Sequence, residues 1–221
     1  MKKNMPTTLV NFILDRSGSM DSIKSATISG FNEYINGLKK QKKGKMLFSL
    51  TTFDTESVDR VYNQVPIRQV EPLTDKTYQP RSGTPLYDAA VDTIERISGE
   101  VDKMELKPAV LVAIMTDGEE NSSKEHDSDC LKDLIKKLEK EGNYTFVYMG
   151  ANQDSWTVAQ KFGIQKGNIA NWVSDNEGTK RAYKSMAQNT VMYASAMADN
   201  SSKDLALNSS SFFNKEEGGV I

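Results

Sequence analysis

Apolar residues along this chain gather into nearly continuous runs, and segments of helical period separate them. Leu9-Val10 with Phe12-Ile13-Leu14, then Ala109 to Met115, then Tyr144 to Met149 each read as a strand covered on both faces, because a one-sided strand would alternate. A helix is predicted from about Asp21 to Lys40, with Ile23, Thr27, Phe31, Tyr34, Ile35 and Leu38 on its apolar stripe. A second begins around Pro85, carries Leu86, Ala90, Ile94 and Ile97, and is expected to end near Gly99. Cys130 opens a third, with Leu131, Leu134, Ile135 and Leu138 on one face, and reads as a small buried apolar residue. A short helix contains Trp156, Ala159 and Phe162, and a last one runs from about Asn176 to Ala198.

Two further segments break the parallel alternation. Met46 to Phe53 alternates like a strand, and Val58 to Ile67 follows too closely for a helical crossover, so the pair is predicted to be an antiparallel hairpin. Arg60 and Asn63 in its second arm suit a sheet edge. Ile169 to Val173 reads as a short final strand, and Gln69 to Gly83, with Pro72 and Pro80, as a loop. The pattern implies an α/β fold: a doubly wound, mainly parallel sheet with one antiparallel edge strand and helices on both faces. The domain is placed at residues 1–198. Beyond it, 199–221 turns to Ser, Asn and charge and reads as a flexible polar tail, with Phe212-Phe213 as its one apolar handle.

The first apolar run ends in Asp15-Arg16-Ser17-Gly18-Ser19, which delivers an acid and two hydroxyls into one turn. Thr84 lies in Ser82-Gly83-Thr84-Pro85, and Asp117 follows the Ala109–Met115 run. In an open parallel sheet the carboxyl ends of strands line a common crevice, so Asp15 and Asp117 can converge. Oxygen donors of this kind suit a hard divalent cation, Mg2+ above all, with Mn2+ or Ca2+ as substitutes. Each piece has a plainer reading too: Thr84 as a helix N-cap, Asp117-Gly118 as a turn. Glu119 is assigned to the outer shell or to a negative rim. The lone histidine, His126, reads as a surface residue without zinc companions.

Asp-x-Ser-x-Ser, a distant Thr and a distant Asp after a strand together resemble the metal-ion-dependent adhesion site of von Willebrand factor A domains, over roughly Pro6 to Ala198. The resemblance implies direct ligation by Ser17, Ser19 and Thr84, with Asp15 and Asp117 acting largely through water. It also implies a non-enzymatic module whose metal takes an Asp or Glu from a partner protein. The intracellular bacterial and phage relatives work beside partners such as an ATPase, a kinase or a stress-response protein, and this chain carries no G-x-x-x-x-G-K-[ST] of its own. The alternative is a Mg2+-dependent phosphohydrolase with Asp15 as nucleophile, although Ser17 stands where an Asp-x-Asp enzyme has its second acid.

Composition narrows the field. The net charge of -2 gives no field for nucleic acid or an anionic membrane. One cysteine excludes an intramolecular disulfide framework, and the apolar stretch behind Met1–Pro6 runs into Asp15 as a strand, not a signal segment. The expected location is cytoplasmic.

Overall fold

The computed structural model describes residues 7–151, 155–199 and 211–213. The readings placed on Met1–Pro6 and on the rest of the tail lie outside these residues. Six strands form one sheet in the order β3-β2-β1-β4-β5-β6, with β1 Thr7–Asp15, β2 Lys45–Phe53, β3 Val58–Pro66, β4 Ala109–Thr116, β5 Tyr144–Ala151 and β6 Ile169–Trp172. Only β2 with β3 is antiparallel. The helices are α1 Lys24–Lys39, α2 Leu86–Asp102, α3 Ser128–Glu139, α4 Ser155–Lys161 and α5 Asn176–Ala198.

Alternation along β1 shows why its run is apolar throughout. Val10, Phe12 and Leu14 face a core shared with α1 and α5, while Leu9 and Ile13 face a second core shared with α2, α3 and α4. The doubly wound arrangement predicted from the pattern is the one observed. On the first side Phe12 stacks on Tyr183 and packs against Phe31 and Tyr34. Gly30 of α1 makes room for that stack, since a Cβ there would stand 2.4 Å from Tyr183 Cδ2. The outer strand β3 is largely exposed, and the left-handed Gln64 with the register shifts of its pairing blunts it as an edge.

Several boundaries differ from expectation for local reasons. A 3-10 segment, Gly18–Ile23, precedes α1, because the chain leaving Asp15 turns tightly to keep Ser17 and Ser19 at the sheet edge. Helix α2 runs past Gly99 to Asp102; Gly99 is on an open face, with nothing within 4 Å of a Cβ there. Cys130 is exposed, contrary to the burial expected of it. Asp127 caps α3 through the amides of Asp129 and Cys130, which turns Leu131, Ile135 and Leu138 inward and leaves Cys130 in solvent. Phe212 and Phe213 dock on this domain: Phe212 packs on Tyr193 of α5, and their amides bond Asn168 Oδ1 and Gly167 O at 3.0 and 2.8 Å.

Candidate metal centre

Strand register builds the site. Leu14 pairs with Met115 across β1 and β4, so the next residues, Asp15 and Thr116, meet at the carboxyl edge. Thr116 Oγ1 donates to Asp15 Oδ2 at 2.5 Å, and the Ser17 amide donates to Asp15 Oδ1 at 2.6 Å. The buried Tyr78 hydroxyl donates to the Asp15 carbonyl at 2.6 Å and fixes the strand end from below. Asp15 is wholly buried, and that burial pushes its carboxyl up to about 6, against the pull of the Thr116 and Ser17 bonds; the nearby Asp117 charge adds to the rise.

The other hydroxyls and Asp117 close around it. Ser17 Oγ and Ser19 Oγ are 3.1 Å apart, and Ser19 Oγ donates to Asp117 Oδ1 at 2.6 Å. Ser174 Oγ, just before α5, approaches Asp117 Oδ2 at 3.4 Å. Burial raises the Asp117 carboxyl as well, while the Ser19 and Ser174 bonds oppose it. Asp15, Ser17 and Thr84 form a buried floor, whereas Ser19 is exposed and Asp117 partly so, which leaves the centre open on one side.

Thr84 is free of the capping role open to it from sequence. Pro85 holds the cap position of α2 without a side-chain bond. The first amides of that helix are served from the loop after β4: Tyr87 N donates to Glu120 Oε2 and Ser123 Oγ, both at 3.0 Å, and Asp88 N to Ser123 Oγ at 3.2 Å. Thr84 is instead held by its backbone, its amide donating to Asn121 Oδ1 and its carbonyl accepting from Asn121 N. Glu120, Asn121, Ser123 and Thr116 carry out positioning work that the sequence left unassigned, because each depends on a contact between distant segments. Glu119 is exposed.

Whether these residues fit a cation is tested by the space they leave. A Cβ on Gly118 would stand 3.1 Å from Thr84 Oγ1, 3.2 Å from Ser19 Oγ and 3.7 Å from Asp15 Oδ2, so a point ringed by oxygens is kept clear by the missing side chain. The donors are two carboxylates and three hydroxyls. All of them present oxygen, the donor that hard divalent ions take. The set fits a hard divalent ion. Gly118 does not occupy the left-handed region, so Gly118→Ala is tolerated by the backbone while its methyl crowds the cradle. Calorimetric titration with Mn2+ should show affinity reduced at least about 10-fold, with melting in chelator near that of the wild type.

The fold is the mostly parallel α/β fold of von Willebrand factor A domains. No protein-family model matches the chain, and no curated protein matches it. Solved structures do. Proximal thread matrix protein 1 from the mussel byssus, with a zinc-occupied MIDAS motif, superposes at TM-score 0.59 and 15% identity over 85% of this chain and 46% of its own. Manganese-loaded TRAP protein of Plasmodium vivax does so at 0.55 and 20% over 80% of this chain and 72% of its own. The von Willebrand factor type A structure from Catenulispora acidiphila gives 0.54 and 15% over 84% and 43%. The chain thus spans about half the length of the mussel protein.

Proposed function

We propose that this chain is a Mg2+-dependent protein-binding module of the von Willebrand factor A type, with an intact metal-ion-dependent adhesion site. Its ion would be held by Asp15, Ser17, Ser19, Thr84 and Asp117, with Glu119 on the rim, and would accept a carboxylate from an Asp or Glu of a partner protein. The observation that carries the reading is the cradle over Gly118, where oxygens from separate loops face one cleared point that opens to solvent through Ser19 and Asp117. Bound there, the ion supplies Lewis acidity toward an incoming carboxylate. The chain's own part is to present neutral hydroxyls in number, so that the ion's charge is not quenched by its host.

A binding role also suits Asp15 better than nucleophilic attack on phosphate. Each of its oxygens already accepts one hydrogen bond, Oδ2 from Thr116 Oγ1 and Oδ1 from the Ser17 amide, which fixes the carboxylate in place to hold an ion or its water and hinders it from moving to attack phosphorus. The zinc- and manganese-bearing structures of the same fold support a divalent ion in general. Magnesium is our reading from the hardness of the donors. No helix among the described residues is long and apolar enough to cross a membrane. With the exposed free thiol of Cys130, we place the protein in a reducing, cytoplasmic setting beside an ATPase, kinase or stress-response partner.

The test is partner capture from lysate in Mg2+ against chelator, with Thr84→Ala beside the wild type. Capture should require Mg2+ and be lost in Thr84→Ala, since that hydroxyl caps nothing and is available to the ion. Capture that persists in chelator and in the variant would overturn the metal-mediated reading.

A further inference from the structure

Behind the cradle, outside the five oxygen donors, sits a third carboxylate. Asp54 follows β2 directly, and its side chain is fully buried. Its Oδ1 accepts the amides of Glu56 and Ser57 at 2.7 and 3.0 Å. Its Oδ2 accepts Arg16 Nε at 2.8 Å and Arg81 Nε at 3.0 Å. Both guanidinium groups also reach Ser57 Oγ, Arg16 Nη2 at 2.9 Å and Arg81 Nη2 at 3.2 Å.

The two arginines come from the two loops that must meet. Arg16 stands between Asp15 and Ser17, and Arg81 stands three residues before Thr84. Their backbones are joined as well: Arg81 N donates to Arg16 O and Gly18 N to Ser82 O, each at 2.9 Å. Ser82 takes a left-handed conformation at φ 60°, so this loop holds a shape its own sequence does not favour.

We propose that Asp54 is the positioning residue of the metal centre, clamping Arg16 and Arg81 so that the Ser17–Ser19 turn and Thr84 are held at ion-binding distance before any ion arrives. The proposal rests on the metal-binding reading above. Arg16 has Asp59 as a further partner for Nη2, at 2.9 Å, and Arg81 has Glu56 for Nη1, at 3.1 Å. Among the described residues Asp54 is the carboxylate that engages both arginines, through a fully buried side chain. Burial works against its charge, yet the Arg81 bond, the Glu56 and Ser57 amides and the Arg16 charge hold its carboxyl below the ordinary range. It is therefore ionised at neutral pH and cancels positive charge beside the place a cation would occupy.

The experiment titrates Mn2+ into the full chain by calorimetry and records melting in chelator for Asp54→Asn, Arg81→Met and two controls. Asp54→Asn should bind Mn2+ about 10–100-fold more weakly, the range for residues that orient metal ligands. Arg81→Met should shift affinity the same way; Arg81 is half-exposed, so this variant keeps the test alive if Asp54→Asn fails to fold. Arg60→Met, on β3, removes an ion pair to Glu100 of α2 and should leave affinity unchanged. A purely structural role would lower melting in chelator without moving the dissociation constant of the folded protein, and that result overturns the proposal. If the wild type binds no Mn2+, the metal-binding reading itself falls. If the wild type binds and Asp117→Asn does not, while Asp54→Asn and Arg81→Met match the wild type, only the clamp is wrong.

Discussion

In chelator at pH 7, Asp15→Asn should melt higher than the wild type and yet gain nothing from Mg2+. The folded protein raises the Asp15 carboxyl from its ordinary 3.8 to about 6, chiefly by burial. For an acid shifted upward the native state binds the proton more tightly than the unfolded chain. The stability this confers is present below pH 3.8 and is lost as pH rises through 6. At neutral pH the ion-free protein therefore carries a buried charge at a cost of about 3 kcal/mol, given about 1.4 kcal/mol per pH unit. Asparagine removes the charge and keeps the shape. Its amide can donate to Thr116 Oγ1, whose own proton then turns to the Gly118 carbonyl 3.1 Å away. The melting temperature in chelator should rise roughly 6–12 °C for a domain of this size.

Mg2+ reverses the order. A cation favours the ionised form of Asp15, so the wild type gains about 2.7 kcal/mol at 100 times its dissociation constant. The variant, short of one of its two acids, loses affinity by about 100-fold or more and stays where it was. Protons compete with the ion for Asp15, so wild-type affinity should also fall as pH drops through 6. Thermal melts of both proteins with Mg2+ and with chelator, at pH 5 and 7, check each part. An Asp15→Asn variant that melts lower than the wild type in chelator would show that the carboxylate anchors the fold instead of straining it. The expected pattern is a trade of stability for function at a site the protein keeps charged.

The parts of this molecule legible in sequence are those set by short-range pattern. Strands β1, β4 and β5 announced themselves because a strand covered by helices on both sides must be apolar at every position, and the β2–β3 hairpin because its connection was too short for a crossover. That Asp15 and Asp117 share an edge followed from parallel topology alone. Less could be read wherever distant segments divide a task. Nothing in Glu120 or Ser123 marks them as the cap of a helix that begins more than thirty residues earlier. Thr84 therefore kept two meanings until the loop after β4 was seen to fill one of them. The segment Gln69 to Gly83 showed no period because it is an irregular strap with a turn at 75–77, burying Val70, Leu73 and Tyr78 at uneven spacing. Cys130 was misplaced because hydrophobicity was weighed without the phase that Asp127 imposes on α3. The Arg16–Asp54–Arg81 clamp resembles any charged surface in one dimension, and only pairing between β1 and β2 brings Phe53 beside Asp15 and Asp54 beside Arg16.

Replacing both Phe212 and Phe213 with alanine should destabilise the domain strongly while leaving Mn2+ affinity within about twofold of the wild type. Both rings are buried, Phe212 5% and Phe213 7% exposed, and they meet edge to face with centroids 5.1 Å apart. Truncating one buried Phe typically costs about 3–5 kcal/mol. Here the segment can peel from the surface once its rings are gone, so the loss is capped by what docking contributes, and about 3–5 kcal/mol for the pair is the sounder figure. For this domain that lowers the melting temperature by roughly 6–20 °C. The metal centre should not feel the change. Tyr193, on which Phe212 packs, lies 17 residues beyond the start of α5 at Asn176, about 25 Å along the helix axis. Gly167 and Asn168 precede β6, the edge strand three places across the sheet from β1, on the order of 14 Å to the side of it. Melting in chelator and a Mn2+ titration of the double variant separate the two effects. An unchanged melting temperature would mean that the rings add nothing to the core. Affinity lost along with stability would mean that α5 carries their docking as far as Ser174 and its contact with Asp117.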